Sequence, residues 1–132
     1  MKKYMLDTNT VSHLVKSHPR VTQHLVDVPI ASLSISSITE GELLFGLAKR
    51  PEAKKLHLIV REFLRYVDVL PWNSQVAGDY GLIRAELEKQ GKIIAPLDLL
   101  IAAHALSIKA ILVTNDRAFS QIPQLIIEDW TI

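Results

Sequence analysis

The stretch "PLDLLIAAHALSIKAILVTND", residues 96–116, constrains this chain more than any other. Its first part, Pro96 to Ile108, is apolar nearly all round, so a helix made from it must be buried on most of its sides. Its second part, "AILVT", is a continuous hydrophobic run. Runs of that kind form strands covered on both faces, as in the middle of a parallel sheet. A buried helix leading into a doubly covered strand calls for helices packed over a sheet.

The remainder of the chain keeps up the alternation. Lys3 to Leu6 read as a short buried strand, and "SLSISS" (Ser32 to Ser37) as another by its period-two pattern. "VDVLP" is a brief third strand, and "LIIED" closes the chain as the last. Helical patterns lie between them: around Val11 to Lys16, from Pro19 through Val26, and from Thr39 to Lys49. A long one opens at Pro51 and runs to about Val67, and another runs from Ser74 to Gln90 with Gly91 as its stop. "NDRAF" makes a helical turn. The helices on either side of Arg50-Pro51 read as a helical hairpin. The expected fold is therefore an α/β sandwich with a mostly parallel sheet of about five strands. No linker, internal repeat or low-complexity tract divides it, so residues 1–132 are expected to form a single domain.

Composition narrows the function classes. Hydrophobic residues make up 48% of the chain, which leaves apolar surface for a partner or a second copy. A homodimer is expected, with part of the Pro51 to Val67 helix in its interface. A formal net charge of +1 does not announce a nucleic-acid binder, although Lys49-Arg50 and Lys54-Lys55 form local basic patches. The absence of cysteine excludes disulfides and thiolate metal sites and is compatible with a reducing cytoplasm. Lys2-Lys3 is followed by only a short apolar run before Asp7, so no secretory signal is read. The longest apolar tract, Leu99 to Val113, is interrupted and falls short of the roughly 20 residues that cross a bilayer. A soluble, cytoplasmic protein without a membrane partner is expected.

Four acids stand at informative places. Asp7 lies just past the first strand and Asp116 just past "AILVT", so a parallel sheet delivers both to the edge where α/β proteins bind ligands. Asp98 opens the most apolar helix, and Glu42 lies in "TEGELLFGL", a helix that begins beyond a strand. Each has a structural alternative. Asp7 and Asp116 can cap the turns that follow them, and Asp98 can complement a helix dipole. Ser37-x-x-Glu40 and Thr39-x-x-Glu42 both fit a capping box, so spacing leaves open which glutamate is free. Gathered in one crevice, the acids would repel by roughly 4 kcal/mol per close pair at an effective dielectric of 20. A divalent cation removes that conflict, and all-oxygen ligation suits Mg²⁺ or Mn²⁺ rather than zinc.

With these motifs in view, "MLDTNT", "SSITEGELLFG", "PLDLLIAAHA" and "TNDRAF", in that order, resemble the PIN-domain family, specifically its VapC-type ribonuclease toxins. The resemblance spans essentially the whole chain. It implies a three-layer PIN-like sandwich and places the family's acids on Asp7, Glu42, Asp98 and Asp116, with Leu43 and Gly46 deciding for Glu42 over Glu40. It implies a metal-dependent endoribonuclease that cuts RNA, tRNA among the candidates. Asp7 and Asp98 would be direct ligands, Glu42 would orient water or accept its proton, and Asp116 would hold a second ion. Thr8, Asn9 and Thr114 either position carboxylates or phosphate by hydrogen bonds, or satisfy backbone at strand ends. Arg84 either leans into the crevice toward phosphate or lies on a solvated helix face. His104 is expected to pack rather than catalyse. The family also implies a cognate antitoxin protein that blocks the crevice and, through its own DNA binding, represses the pair.

Two rivals remain. A phosphatase forming an aspartyl-phosphate on D-x-D-x-T would need an acid where Asn9 stands. A catalytically silent PIN-like module that only binds RNA or protein is disfavoured by the presence of all four acids.

Overall fold

A computed structural model of the chain describes residues 2–132. The elements follow in the order β1 (Tyr4–Leu6), α1 (Thr8–Val15), α2 (Pro19–Asp27), β2 (Leu33–Ser36), α3 (Ser37–Ala48) and α4 (Lys54–Tyr66). They continue with β3 (Asp68–Leu70), α5 (Ser74–Lys89), α6 (Pro96–Ser107), β4 (Ile111–Val113) and β5 (Ile127–Glu128). The five strands form one sheet in the order β3-β2-β1-β4-β5, and every pairing is parallel. The chain works outward from β1 in one direction and then restarts at β4 on its other side. The β1–β4 boundary is therefore a topological switch point, where the sheet opens a crevice beyond its carboxyl edge.

Alternation along the strands produces two cores, one per face of the sheet. Tyr4 and Leu6 of β1, Ile35 of β2 and Val113 of β4 pack with Val11, Val21, Leu43, Leu47 and Val60 from α1 to α4. Met5 and Leu112 face the other way, against Leu87 of α5, Leu99, Ile101 and Ala105 of α6, and Phe119. Fully burying a Leu, Ile or Met side chain contributes about 1.5–3 kcal/mol. This is why α6 and β4, apolar on all sides, had to lie at the centre. No helix among the described residues is long and apolar enough to cross a membrane. On α4, Leu58 and Tyr66 are left exposed.

Several boundaries differ from the sequence reading, each for a local reason. Helix α1 starts at Thr8 rather than near Val11, because Asp7 caps it. Helix α3 starts at Ser37 with Ser36 as its cap, so neither predicted capping box forms. Helix α4 starts at Lys54 rather than Pro51, because Pro51 and Glu52 are spent on a turn closed by Ala53 N–H donating to Arg50 O (3.1 Å). Strand β2 is buried on both sides despite its polar alternation. Its serines are satisfied inside the protein, Ser34 Oγ by donating to Tyr4 O at 2.9 Å.

Three helices end in the same left-handed cap with different residues: Ser17 (φ 61°) after α1, Gly91 after α5 and Lys109 after α6. After α5, Gly91 (φ 70°) lets Lys92 N–H reach Leu87 O at 2.9 Å and Gly91 N–H reach Glu88 O at 3.0 Å. After α6, Lys109 takes the same place at φ 58°. Gly91→Ala is expected to cost about 1 kcal/mol and Lys109→Gly to gain a similar amount, through backbone preference alone. Urea midpoints that move the same way for both variants would contradict this.

Candidate active site

The site is assembled from four segments that meet beyond the carboxyl edge of β1 and β4. Asp7 extends the ladder between these strands, its N–H donating to Val113 O at 3.1 Å. Its carboxylate accepts from Thr10 N–H at 2.8 Å, and Thr10 Oγ1 donates to Val113 O at 2.9 Å. The first turn of α1 is thereby locked onto the end of β4. Asp7 thus fills its capping role and still stands at the crevice; the two readings are compatible. It is 4% exposed. Burial raises its carboxyl above the ordinary value of 3.8, opposed by hydrogen bonding from the Thr114 side chain and from Thr10, while the charge of Asp116 adds to the rise.

Glu42 sits on the second turn of α3 and is reached from α1. Thr8 Oγ1 donates to Glu42 Oε1 at 2.6 Å, a short bond to a charged acceptor. Asp98, in the first turn of α6, is partly buried. Its carboxyl is raised first by burial, then by the negative charges of Asp116, Asp7 and Glu42. Asp116 caps the turn Arg117–Gln121 through Ala118 N–H (2.9 Å), and its own N–H donates to the buried Thr114 Oγ1 (3.0 Å). Asp98 therefore feels the charge of the other three acids predicted from the sequence, and Asp7 that of Asp116.

The remaining predicted residues divide. Thr8 and Thr114 touch acids of the cluster, as described. Asn9 is exposed on α1, and among the described residues no hydrogen bond joins it to the acids. Arg84 is held along its own exposed helix face, its Nε donating to Glu88 Oε2 (2.9 Å) and its Nη1 to Tyr80 Oη (2.8 Å), and among the described residues no hydrogen bond joins it to the four acids. A glutamate four residues on and a phenol four residues back hold it along its own helix. Thr10, Thr39, Ser36 and His104 were not singled out for the site. For His104 the one signal was a polar residue inside an otherwise apolar segment.

The candidate ligands are oxygen only, which fits a hard divalent cation. The ion pairs among the described residues, Arg65–Glu62 and Arg84–Glu88, involve none of the four acids. Their mutual repulsion is relieved by no ion pair among the described residues. Among the described residues no three Asp, Glu or His side chains are drawn tightly enough together to grip an ion as they stand. The fit is one of charge and donor type.

Comparison with known proteins points the same way. A family model described as the PIN domain matches residues 4–125. The "tRNA(fMet)-specific endonuclease VapC" of Salmonella typhimurium is 38% identical over 131 residues, covering 98% of this chain and 99% of that protein. "Ribonuclease VapC2" of Haemophilus influenzae is 37% identical, with 98% and 99% covered. Among solved structures, DNA-bound VapBC from Salmonella typhimurium superposes with a TM-score of 0.91 at 38% identity, covering 98% of this chain and 99% of that one. VapBC2 from Rickettsia felis, bound to a fragment of promoter DNA, gives 0.87 at 35% identity, with 96% and 98% covered.

Proposed function

We propose, because the chain belongs to the PIN-domain family and within it to the VapC-type ribonuclease toxins of toxin–antitoxin systems, that it is a divalent-metal-dependent endoribonuclease whose RNA targets include tRNA. The observation that carries this reading is the convergence of Asp7, Glu42, Asp98 and Asp116, felt as charge at Asp98. Asp7 and Asp98 would hold the cation, Mg²⁺ or Mn²⁺, with Asp116 beside them. A cation bound there supplies positive charge for the phosphoryl oxygens and makes water more acidic. Glu42 has one oxygen engaged by Thr8 and so has a set orientation. Its other oxygen is left to receive a proton from the attacking water. Thr114 and Thr10 hold the Asp7 carboxylate in place. The names of relatives such as the Salmonella protein support tRNA(fMet) as the first target to test. DNA-bound VapBC complexes support a cognate antitoxin as partner, with DNA reached through that complex.

The test is sequencing of RNA 5′ ends after induction in cells. A small set of new ends is expected, tRNA(fMet) among them, and co-expression of a cognate antitoxin should remove them. An unchanged spectrum of ends would sink the ribonuclease assignment.

A further inference from the structure

The four acids are held by two different kinds of support. Asp7 and Asp116 follow β1 and β4, whose relative position is set by the backbone ladder, Tyr4 opposite Ile111 and Leu6 opposite Val113. Glu42 and Asp98 ride on α3 and α6, and no ladder sets the register of one helix against another. Apolar side chains alone let packed helices slide at modest cost. Something directional is needed to register these two.

Two polar links between the helices supply it. Ser36 Oγ, the cap of α3, accepts from Ile38 N–H at 3.1 Å and stands 2.7 Å from His104 Nδ1 of α6. Both side chains are essentially fully buried, at 0% and 1% exposure. The Ile38 bond takes one lone pair of the hydroxyl, and its hydrogen or its second lone pair meets Nδ1 according to the ring's tautomer. Burial lowers the His104 pKa, in keeping with a neutral ring. One residue on, Ser37 Oγ accepts from Trp72 N–H at 3.1 Å, and Trp72 Nε1 donates to Leu100 O of α6 at 3.0 Å. The start of α3 is therefore tied to α6 at His104 and, through Trp72, at Leu100.

The arms are equal. Glu42 lies six residues beyond Ser36 along α3, and Asp98 six residues before His104 along α6, about 9 Å in each case. At the far end of those arms the charge of Glu42 is felt at Asp98, after burial and the charges of Asp116 and Asp7. We propose that the buried Ser36–His104 link, seconded by Ser37–Trp72–Leu100, is a strap that registers α3 against α6 and so sets the spacing of Glu42 and Asp98 around the cation. Ser36 and His104 are positioning residues, and the inference rests on the nuclease reading given above. Without the strap, the repulsion between the two carboxylates is free to splay their helices.

His104→Leu removes the link and keeps the volume, whereas His104→Asn returns an acceptor near the Nδ1 position. The Mn²⁺ concentration giving half-maximal thermal stabilisation is expected to rise about 10-fold in His104→Leu, the loss typical of residues that orient ligands. The kcat for RNA should fall about as far while KM stays within roughly 2-fold. His104→Asn should recover most of both. A folded His104→Leu protein with the wild-type Mn²⁺ midpoint, or an Asn variant no better than Leu, overturns the strap. Should His104→Leu fail to fold, Trp72→Phe keeps the ring against Tyr80 (5.9 Å between centroids) and loses only the bond to Leu100. Its Mn²⁺ midpoint is then expected to rise measurably, and an unchanged one overturns the strap. A wild-type protein that takes up no Mn²⁺ sinks the nuclease reading instead. Hydrogen exchange in α3 of the metal-free protein then decides the strap by itself: faster in His104→Leu and restored in His104→Asn if it holds, unchanged in both if it does not.

Discussion

Asp7→Asn is expected to reduce RNA cleavage by more than about 100-fold, since substitutions merely adjoining a metal's ligands already cost about 10–100-fold, and yet to raise the melting temperature of the metal-free protein. The two effects share one cause. Asp7 is buried with other carboxylates nearby, and burial followed by the charge of Asp116 pushes its carboxyl up. The folded protein thus binds that proton more tightly than the unfolded chain does. Its contribution to stability is fully present below the unfolded value of 3.8 and is lost as pH rises through the raised folded value. At neutral pH the ionised carboxylate is a standing cost. Asparagine carries no charge to desolvate, and its Oδ1 can still accept from Thr10 N–H, asparagine being as good a cap as aspartate. Melting curves taken across that window should show the wild type losing more stability with rising pH than the variant, in which Asp98 alone of the two raised carboxyls remains. An Asp7→Asn protein that is less stable than wild type, or that still cuts RNA, would contradict the assignment of this carboxylate.

The second large effect is removal of the cation. Protein stripped with a chelator is expected to cut no RNA, and Mg²⁺ or Mn²⁺ should restore cutting. The same ions should raise the melting temperature of the wild type, because they bind the folded cluster and not the unfolded chain. At a hundredfold excess over Kd the gain is about 2.7 kcal/mol, on the order of 10 °C for a chain of this size. Sodium chloride at matched ionic strength should give far less, because screening weakens the repulsion among Asp7, Asp98 and Asp116 without bridging them. Asp7→Asn should lose most of the metal-induced shift. Cleavage that persists in chelator, or a shift that survives in the variant, would mean that the cation acts elsewhere.

Fold and candidate site were legible to different depths. Helix α6 and strand β4 could be read directly, because residues apolar on every side have nowhere to go but the middle. Boundaries were less legible. Asp7 and Ser36 each end a strand in extended backbone while capping the helix that follows, so the helices start earlier than their apolar periodicity does. The serines of β2 imitated a wet face, because hydroxyls bonded to nearby backbone can be buried at little cost. Arg84 was ambiguous from spacing alone, and Glu88 and Tyr80, both four residues away, settled its direction.

By itself the sequence determined the layers of the fold, its most deeply buried helix and strand, and the order in which four acids follow strands and open helices. These properties depend on short-range periodicity and on the energy of burying apolar surface, both of which are written locally. Tertiary structure alone decided that Thr8 would bond Glu42, and that Ser36 would meet His104 from 68 residues away. A hydrogen bond between distant segments depends on atoms arriving within a few tenths of an ångström, and local pattern carries no such precision until the packing of the helices on the sheet is complete.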